Sequence, residues 1–527
     1  MNPCLHDPTG NYGGGVQSYF LFLRFLVLLN FFSFLLIAGF VIIPSIVFRS
    51  VGTSLFNSTG NDISKLHFGF MEYSYMFYGY YNNTMVADMN FSYNIPLAYL
   101  LTAAFYFAFC LISIIIRSVK SLSVAVATGG STVGNYSMIV FTGWDYGCLG
   151  DQATKLKQKN MLYRLQVDLE EESRKKQAAA LSLSQKVVLY SLRIFMGLVA
   201  FGLIIGAFYG IFEATNFSQV SLSRCWIEGL FFEYLPSIVI TIGNFVVPLL
   251  CDQIALYIAI ICLSRAVFLR LVSLGALLFT LWGQITCEGD TESPPCKLCQ
   301  YNEVYPCWET RVGQEMYKLT LFDLLISITL LIFVEFPRRM VVDNWSCKLA
   351  QWLGRQEFVV PSNVLGLVYG QTVVWMGALF CPLLPLINTI KFVILFYCKK
   401  VTLFHNCRPA VRTFRSTTST IYFLVVLLFG WGLATVVMIY SLAEIRPSMG
   451  CGPFRFFPNM WSVVPTSFYS LSKTTQEFLF FIGSQAFSIP LFVLSCVVMC
   501  YFIALASVYG RNVALLKAQL KLVSCLH

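Results

Sequence analysis

The chain has 527 residues, of which 57% are hydrophobic and only 12% charged, with a mean hydropathy of +0.69. That composition excludes a water-soluble globule whose helices each keep one wet face. A net charge of +10 would suggest nucleic acid in a soluble protein, but here the basic residues gather in loops between apolar stretches, where anionic lipid accounts for them; the partner is the lipid bilayer, with no nucleic acid.

A bilayer core of about 30 Å is crossed by about 20 apolar residues of helix. On that measure the chain reads as an all-α, polytopic integral membrane protein with ten transmembrane helices. They fall at residues 17–48, 97–117, 187–212, 230–250, 254–283, 319–336, 364–381, 383–398, 418–441 and 484–507. Two apolar stretches are divided. Residues 230–283 would make a single helix of about 80 Å, and the break is placed at Pro248 to Gln253, where Pro248 weakens the helix and Asp252 prefers the interface. Residues 364–398 would span about 52 Å, and Pro382 and Pro385 supply the turn.

The loops give the direction. Lys and Arg collect in the segment after span two, around Arg338 to Arg355, around Lys399 to Arg415, and in the tail from Arg511 to Lys521. Basic loops stay cytoplasmic, and all four share one side only if both divided stretches are hairpins. Both termini are then cytoplasmic. Span one serves as its own insertion signal, because no cleavable signal peptide precedes it. Residues 1–117 form a first hairpin whose outer loop carries glycosylation acceptors at Asn57, Asn82 and Asn90. A fourth acceptor, Asn216, follows span three, so these loops should meet the secretory lumen, and a plasma-membrane location is expected.

Residues 118–186 form a cytoplasmic segment in which Leu162, Leu165 and Leu169 recur at helical spacing beside mixed charges, which predicts an amphipathic helix. The tail, 508–527, reads as a shorter one. Spans three to five occupy 187–283. An outer loop, 284–318, then gathers Cys287, Cys296, Cys299 and Cys307 in an oxidising compartment, where disulfides are expected; four cysteines allow three pairings and the sequence does not choose. A zinc site is the rival, since Cys296 and Cys299 form C-x-x-C, but exposure to the exterior favours oxidation and no metal is assigned. Spans six to ten fill 319–507.

A charge at mid-bilayer costs about 2.5–3.5 kcal/mol on insertion scales, so each one retained there marks a wet pathway or a partner. Asp323 lies in the first turns of span six and Lys391 near the middle of span eight. Span four holds Asn244 near Pro248, and span seven holds Gln371, which should face protein or water. Polar atoms at such places either line a cavity or merely let helices pack. No Walker lysine motif, no H-E-x-x-H and no histidine within a span is present, so neither an enzyme nor a cofactor is expected.

The run from Cys307 to Leu319, CWETRVGQEMYKL, followed by Asp323, resembles the signature of the transmembrane channel-like family. Similar patterns occur at Gly15 to Arg24, Phe336 to Arg338, Tyr369 to Pro385, Phe414 to Ser416 and Cys451 to Phe454, in the family's order. The resemblance implies an anoctamin-like architecture assembled as a homodimer, with an ion path in each protomer along spans four to seven. It carries pore positions onto Asn244, Phe245 and Asp323. It also makes residues 118–186 a docking site for a calcium- and integrin-binding protein. Two departures stand out: the turn between spans four and five lacks the family's acidic run, and no carboxylate follows span six where hair-cell members carry one. The chain also begins just before span one, which suggests a truncated isoform.

The functional expectation is an ion channel, or a component of a channel complex, mechanosensitive and cation-conducting by resemblance, with Asn244, Phe245, Asp323 and Gln371 as pore-lining residues. A regulatory scaffold binding a small calcium-binding partner and a lipid scramblase are the alternatives.

Overall fold

The computed structural model describes residues 14–48, 74–88, 91–128, 307–344, 356–408, 416–448, 451–455 and 457–526, with individual residues between 150 and 302. The helices are α1 Gly14–Ile37, α2 Ile43–Val47, α3 Ile95–Thr128, α4 Trp308–Leu330, α5 Phe336–Asn344, α6 Val360–Gly377 and α7 Leu384–Val401. They continue with α8 Ser416–Ala443, α9 Val463–Tyr469, α10 Lys473–Gly483 and α11 Gln485–Leu526. Short strands β1 Met85–Asp88 and β2 Phe91–Asn94 pair antiparallel, as do β3 Cys296–Lys297 and β4 Tyr301–Asn302. A parallel pair, β5 Gln356–Glu357 with β6 Cys407–Arg408, ties the entry of α6 to the exit of α7.

The sequence makes α6 the centre of the bundle. It is apolar on every face, and such a helix is stable only when covered all round. From Val364 to Gly377 all but one of its residues are buried, against α1, α4, α7 and α8. Helix α3 is sided instead. Its exposed apolar residues run from Leu101 to Leu122, a rise of about 31 Å that matches one hydrocarbon core.

Among the described residues, three apolar helices carry a π turn, one extra residue in the hydrogen-bond ladder: Ala38–Ile42 joins α1 to α2, Leu331–Glu335 joins α4 to α5, and Thr402–Asn406 ends α7. π turns re-aim side chains and bend helices. The last two are linked, because Thr402 Oγ1 donates to Glu335 Oε2 at 2.6 Å.

Among the described residues, four helical stretches are long and apolar enough to cross a membrane: Gly15–Val47, Ile95–Ser123, Trp308–Asn344 and Thr420–Ala443. They coincide with expected spans one, two, six and nine. Residues 364–398 fold as two helices, with the turn at residues 378–383 containing Pro382. Pro385, however, lies in the first turn of α7, where proline costs no hydrogen bond. Spans three to five lie largely outside the described residues.

Several boundaries shift. Helix α3 runs eleven residues past the expected end at 117, because Arg117 stacks over Phe25 at 5.8 Å and the helix proceeds to Thr128. Helix α4 starts at Trp308 rather than 319. The tail is no separate amphipathic piece: α11 continues unbroken to Leu526. In residues 151–186 the described positions are mostly helical, with Leu162 and Leu169 63% and 57% exposed and a Glu172–Lys176 pair at 3.0 Å.

Candidate functional site: charged and amide groups inside the bundle

Helix α4 changes character along its length. Its first half packs tightly, with most residues from Trp308 to Thr320 buried, whereas no residue from 321 to 344 is buried. Asp323 stands just past that boundary. Its carboxylate, 30% exposed, meets the Lys391 ammonium of α7, which is 3% exposed, with Oδ2 and Nζ 2.6 Å apart. Among the described residues no other group accepts from Nζ. At an effective dielectric constant of about 20, two unit charges at this distance attract by about 6 kcal/mol, most of which offsets the desolvation of the lysine. The room for the ammonium comes from Gly370 of α6, where an added Cβ would lie 3.1 Å from Nζ.

One turn away lies an amide cluster. Asn30 of α1 donates to Gln371 Oε1 at 2.6 Å and Gln371 returns a bond to Asn30 Oδ1 at 3.2 Å; Asn388 of α7 adds a long bond to the same Oε1 at 3.4 Å. All three side chains are fully buried. Gln371 was expected to line a path. The structure places it instead as the hub joining α1, α6 and α7, because its amide is taken up by two partners inside the protein.

The start of α4 is held by a clasp. Cys307 is disulfide-bonded to Cys451, with Cα atoms 5.9 Å apart. This corrects the expected pairing within the cysteine loop: the partner comes from the α8–α9 connection, 144 residues on. Cys296 lies in β3, while Cys287 and Cys299 fall outside the described residues. Beside the disulfide, Trp308 Nε1 donates to the Arg446 carbonyl at 3.2 Å and the Ser448 amide donates to Glu309 Oε1 at 2.7 Å. The segment before β1 is wedged beneath, with the Gly79 amide on Thr310 Oγ1 at 3.1 Å and the Tyr78 amide on the Phe380 carbonyl at 3.0 Å. Gly452 has φ +85°, and an added Cβ there would overlap the Tyr78 ring. Glu309 is fully buried, and its Oε2 has no hydrogen-bond partner among the described residues. Cys307, Glu309 and Cys451 cluster as metal ligands would, but the two sulfurs are bonded to each other, which removes both thiolates.

The structure thus places Gln371 inside the bundle and Asp323 at its partly exposed edge, beside Gly370 and Lys391. Asn244 and Phe245 lie outside the described residues, as do the acceptors Asn57, Asn90 and Asn216. Asn82 is half-buried, its oxygen accepting from Arg455 and from the Asn83 amide. Sequence reasoning missed Asn30 and Asn388, single amides inside apolar helices, and the buried Glu315–Lys318 pair of α4 at 3.1 Å. It singled out Lys391 without its partner. The available signal was one acidic and one basic residue in two different spans, which hydrocarbon tolerates best as a pair.

A TMC domain model matches residues 307–417, the stretch that holds α4, α6 and α7. Over 548 aligned residues the chain is 40% identical to the Homo sapiens protein named voltage-gated chloride channel TMC4, covering 97% of this chain and 75% of that one. The chain belongs to the transmembrane channel-like family. Another member, transmembrane channel-like protein 8 of Homo sapiens, is 34% identical over 98% of this chain and 74% of its own length. Among family members the sequence patterns pointed to transmembrane channel-like protein 5. That protein of Homo sapiens is also a relative, but at 29% identity over 85% of this chain it is more distant than TMC4.

Proposed function

We propose that this chain is a subunit of an ion channel in which ions pass along the uncovered half of α4, beside Asp323. The observation that carries the reading is the Lys391–Asp323 pair: a charged pair kept within the bundle at the level where α4 loses its cover, with the carboxylate reaching the open side. Stability alone does not call for such a pair, since apolar residues of similar volume often replace a buried ion pair without loss. The finer reading is an anion path. It is supported by 40% identity to a protein named as a voltage-gated chloride channel and by the missing acidic run between spans four and five. A mechanically gated cation path is the second reading, favoured by the partly exposed carboxylate itself.

Reconstitution in liposomes under a NaCl gradient tests both. A reversal potential near the chloride equilibrium value supports the anion path, and one near the sodium value supports the cation path. Absence of any conductance under voltage or tension overturns the channel reading. That outcome would favour the scaffold alternative, for which the exposed Leu162 and Leu169 offer a face to a small calcium-binding partner on residues 118–186. A fluorescent-lipid reduction assay on the same liposomes reports scrambling. Homodimer assembly, glycosylation at Asn57, Asn82, Asn90 and Asn216, residence in the plasma membrane and cytoplasmic termini complete the proposal.

A further inference from the structure

We infer that Lys391 and Gly370 form a binding site for a monovalent anion, and that the Asp323 carboxylate is its tethered occupant, which a free halide must displace. The proposal deepens the channel reading and rests on it only for conduction; binding can be measured without it.

Three observations lead there. First, the Lys391 ammonium is nearly inaccessible and its charge partner is the Asp323 carboxylate alone, with Nζ and Oδ2 2.6 Å apart, so two of its three N–H donors have no acceptor among the described residues. A buried ammonium in that condition calls for an anion or water to take them. Second, the neighbouring position on α6 is a glycine. An alanine Cβ at Gly370 would lie 3.1 Å from Nζ, closer than ordinary contact, and 3.8 Å from Asp323 Oδ2, so it is the glycine that lets the ammonium and an anionic partner meet against α6. Third, the two partners differ in freedom. Lys391 is buried on α7, backed by the Phe392 ring 5.8 Å from Nζ, whereas Asp323 is partly exposed and belongs to the uncovered stretch of α4. The carboxylate can swing out and be hydrated while the ammonium stays in place. A carboxylate oxygen on a fixed cation stands where a halide would stand, and the two compete for one charge.

The alternative is a fixed structural ion pair. In that case removing the carboxylate leaves an uncompensated buried lysine whatever salt is present. In an anion site, halide restores the compensation, and stability depends on halide concentration through mass action.

The experiment compares wild type, Asp323→Asn and the double variant Lys391→Met/Asp323→Asn, purified in detergent. Unfolding temperature is followed as NaCl or NaBr replaces sodium gluconate at constant ionic strength. For D323N the proposal expects an unfolding temperature that rises with each tenfold of halide, or folding in halide and not in gluconate. Wild type should respond weakly and the double variant not at all. In liposomes the chloride-to-sodium permeability ratio of D323N should exceed that of wild type. A D323N protein whose stability ignores halide as the double variant does, or which fails to fold in every salt while the double variant folds, overturns the proposal. Should the Met double variant not fold, Lys391→Gln/Asp323→Asn serves as the control on the same terms. Halide-dependent stability without any flux would retain the anion site and overturn the channel reading instead.

Discussion

Replacing Gln371 with leucine separates a packing hub from a pore-lining residue. Leucine nearly conserves volume, so the cavity left is small, and the cost falls on the partners. Asn30 would lose both of its bonds to Gln371, at 2.6 and 3.2 Å, keeping only its bond to the Leu26 carbonyl at 2.8 Å, and Asn388 would lose its bond at 3.4 Å. A buried group left unsatisfied costs about 1–3 kcal/mol, so two such groups give about 2–6 kcal/mol. Hydrogen bonds between membrane helices average about 0.6 kcal/mol, which puts three of them near the lower end of that range. The triple variant Asn30→Leu/Gln371→Leu/Asn388→Leu removes every group that could be stranded and should lie within about 1.5 kcal/mol of wild type. Unfolding of detergent-purified protein, followed by tryptophan fluorescence, measures the three stabilities, and conductance of the same proteins shows whether the path is touched. Gln371→Leu that unfolds like wild type but changes ion selectivity would refute the reasoning, because the amide would then face the path and not the α1–α6–α7 interface.

Other expectations follow from the clasp and the linked π turns. Cys451→Ser opens a loop closed across 144 residues, for which chain entropy gives an upper value of about 5 kcal/mol; a lower unfolding temperature and thiol labelling of Cys307 should accompany it, and an unchanged temperature would mean that the hydrogen bonds alone hold the clasp. Gly452→Ala meets both a left-handed backbone and the Tyr78 ring, and a loss of more than about 1 kcal/mol is expected in the same melting assay. Thr402→Val removes the hydroxyl bond to Glu335 and should cost about 1 kcal/mol; a null effect would show that the two π turns are not coupled through this bond.

The course of the helices was largely readable from the sequence, because a bilayer imposes one strong rule on apolar length. Spans one, two, six and nine needed only hydropathy, and the division near Pro382 followed from length. Helix ends were harder to place. Hydropathy falls at Trp308 to Lys318 and again after Arg117, yet the helix persists in both places, since buried pairs such as Glu315–Lys318 and the stacking of Arg117 over Phe25 make charged turns stable. Pairing was hardest. Cys307 sits within a dense cysteine loop, and nothing local reveals that its partner lies 144 residues away. Likewise Asn30 and Gln371 are separated by 341 positions, and only the packing of α1 on α6 brings two unremarkable amides together.

The covalent bond between Cys307 and Cys451 has a mechanical consequence. Backbone on either side of it is short: the first turn of α4 begins at the residue after Cys307, and the α8–α9 connection is hydrogen-bonded to that same turn through Arg446 and Ser448. A pull on the α8–α9 connection therefore reaches the top of α4 through a link that does not stretch, without first deforming the lipid. About 22 Å further down that rod sits Asp323, paired with Lys391; beyond it the packing loosens and the helix is tied to α7 through Glu335 and Thr402, so a pull at the clasp is carried along α4 to that second tie.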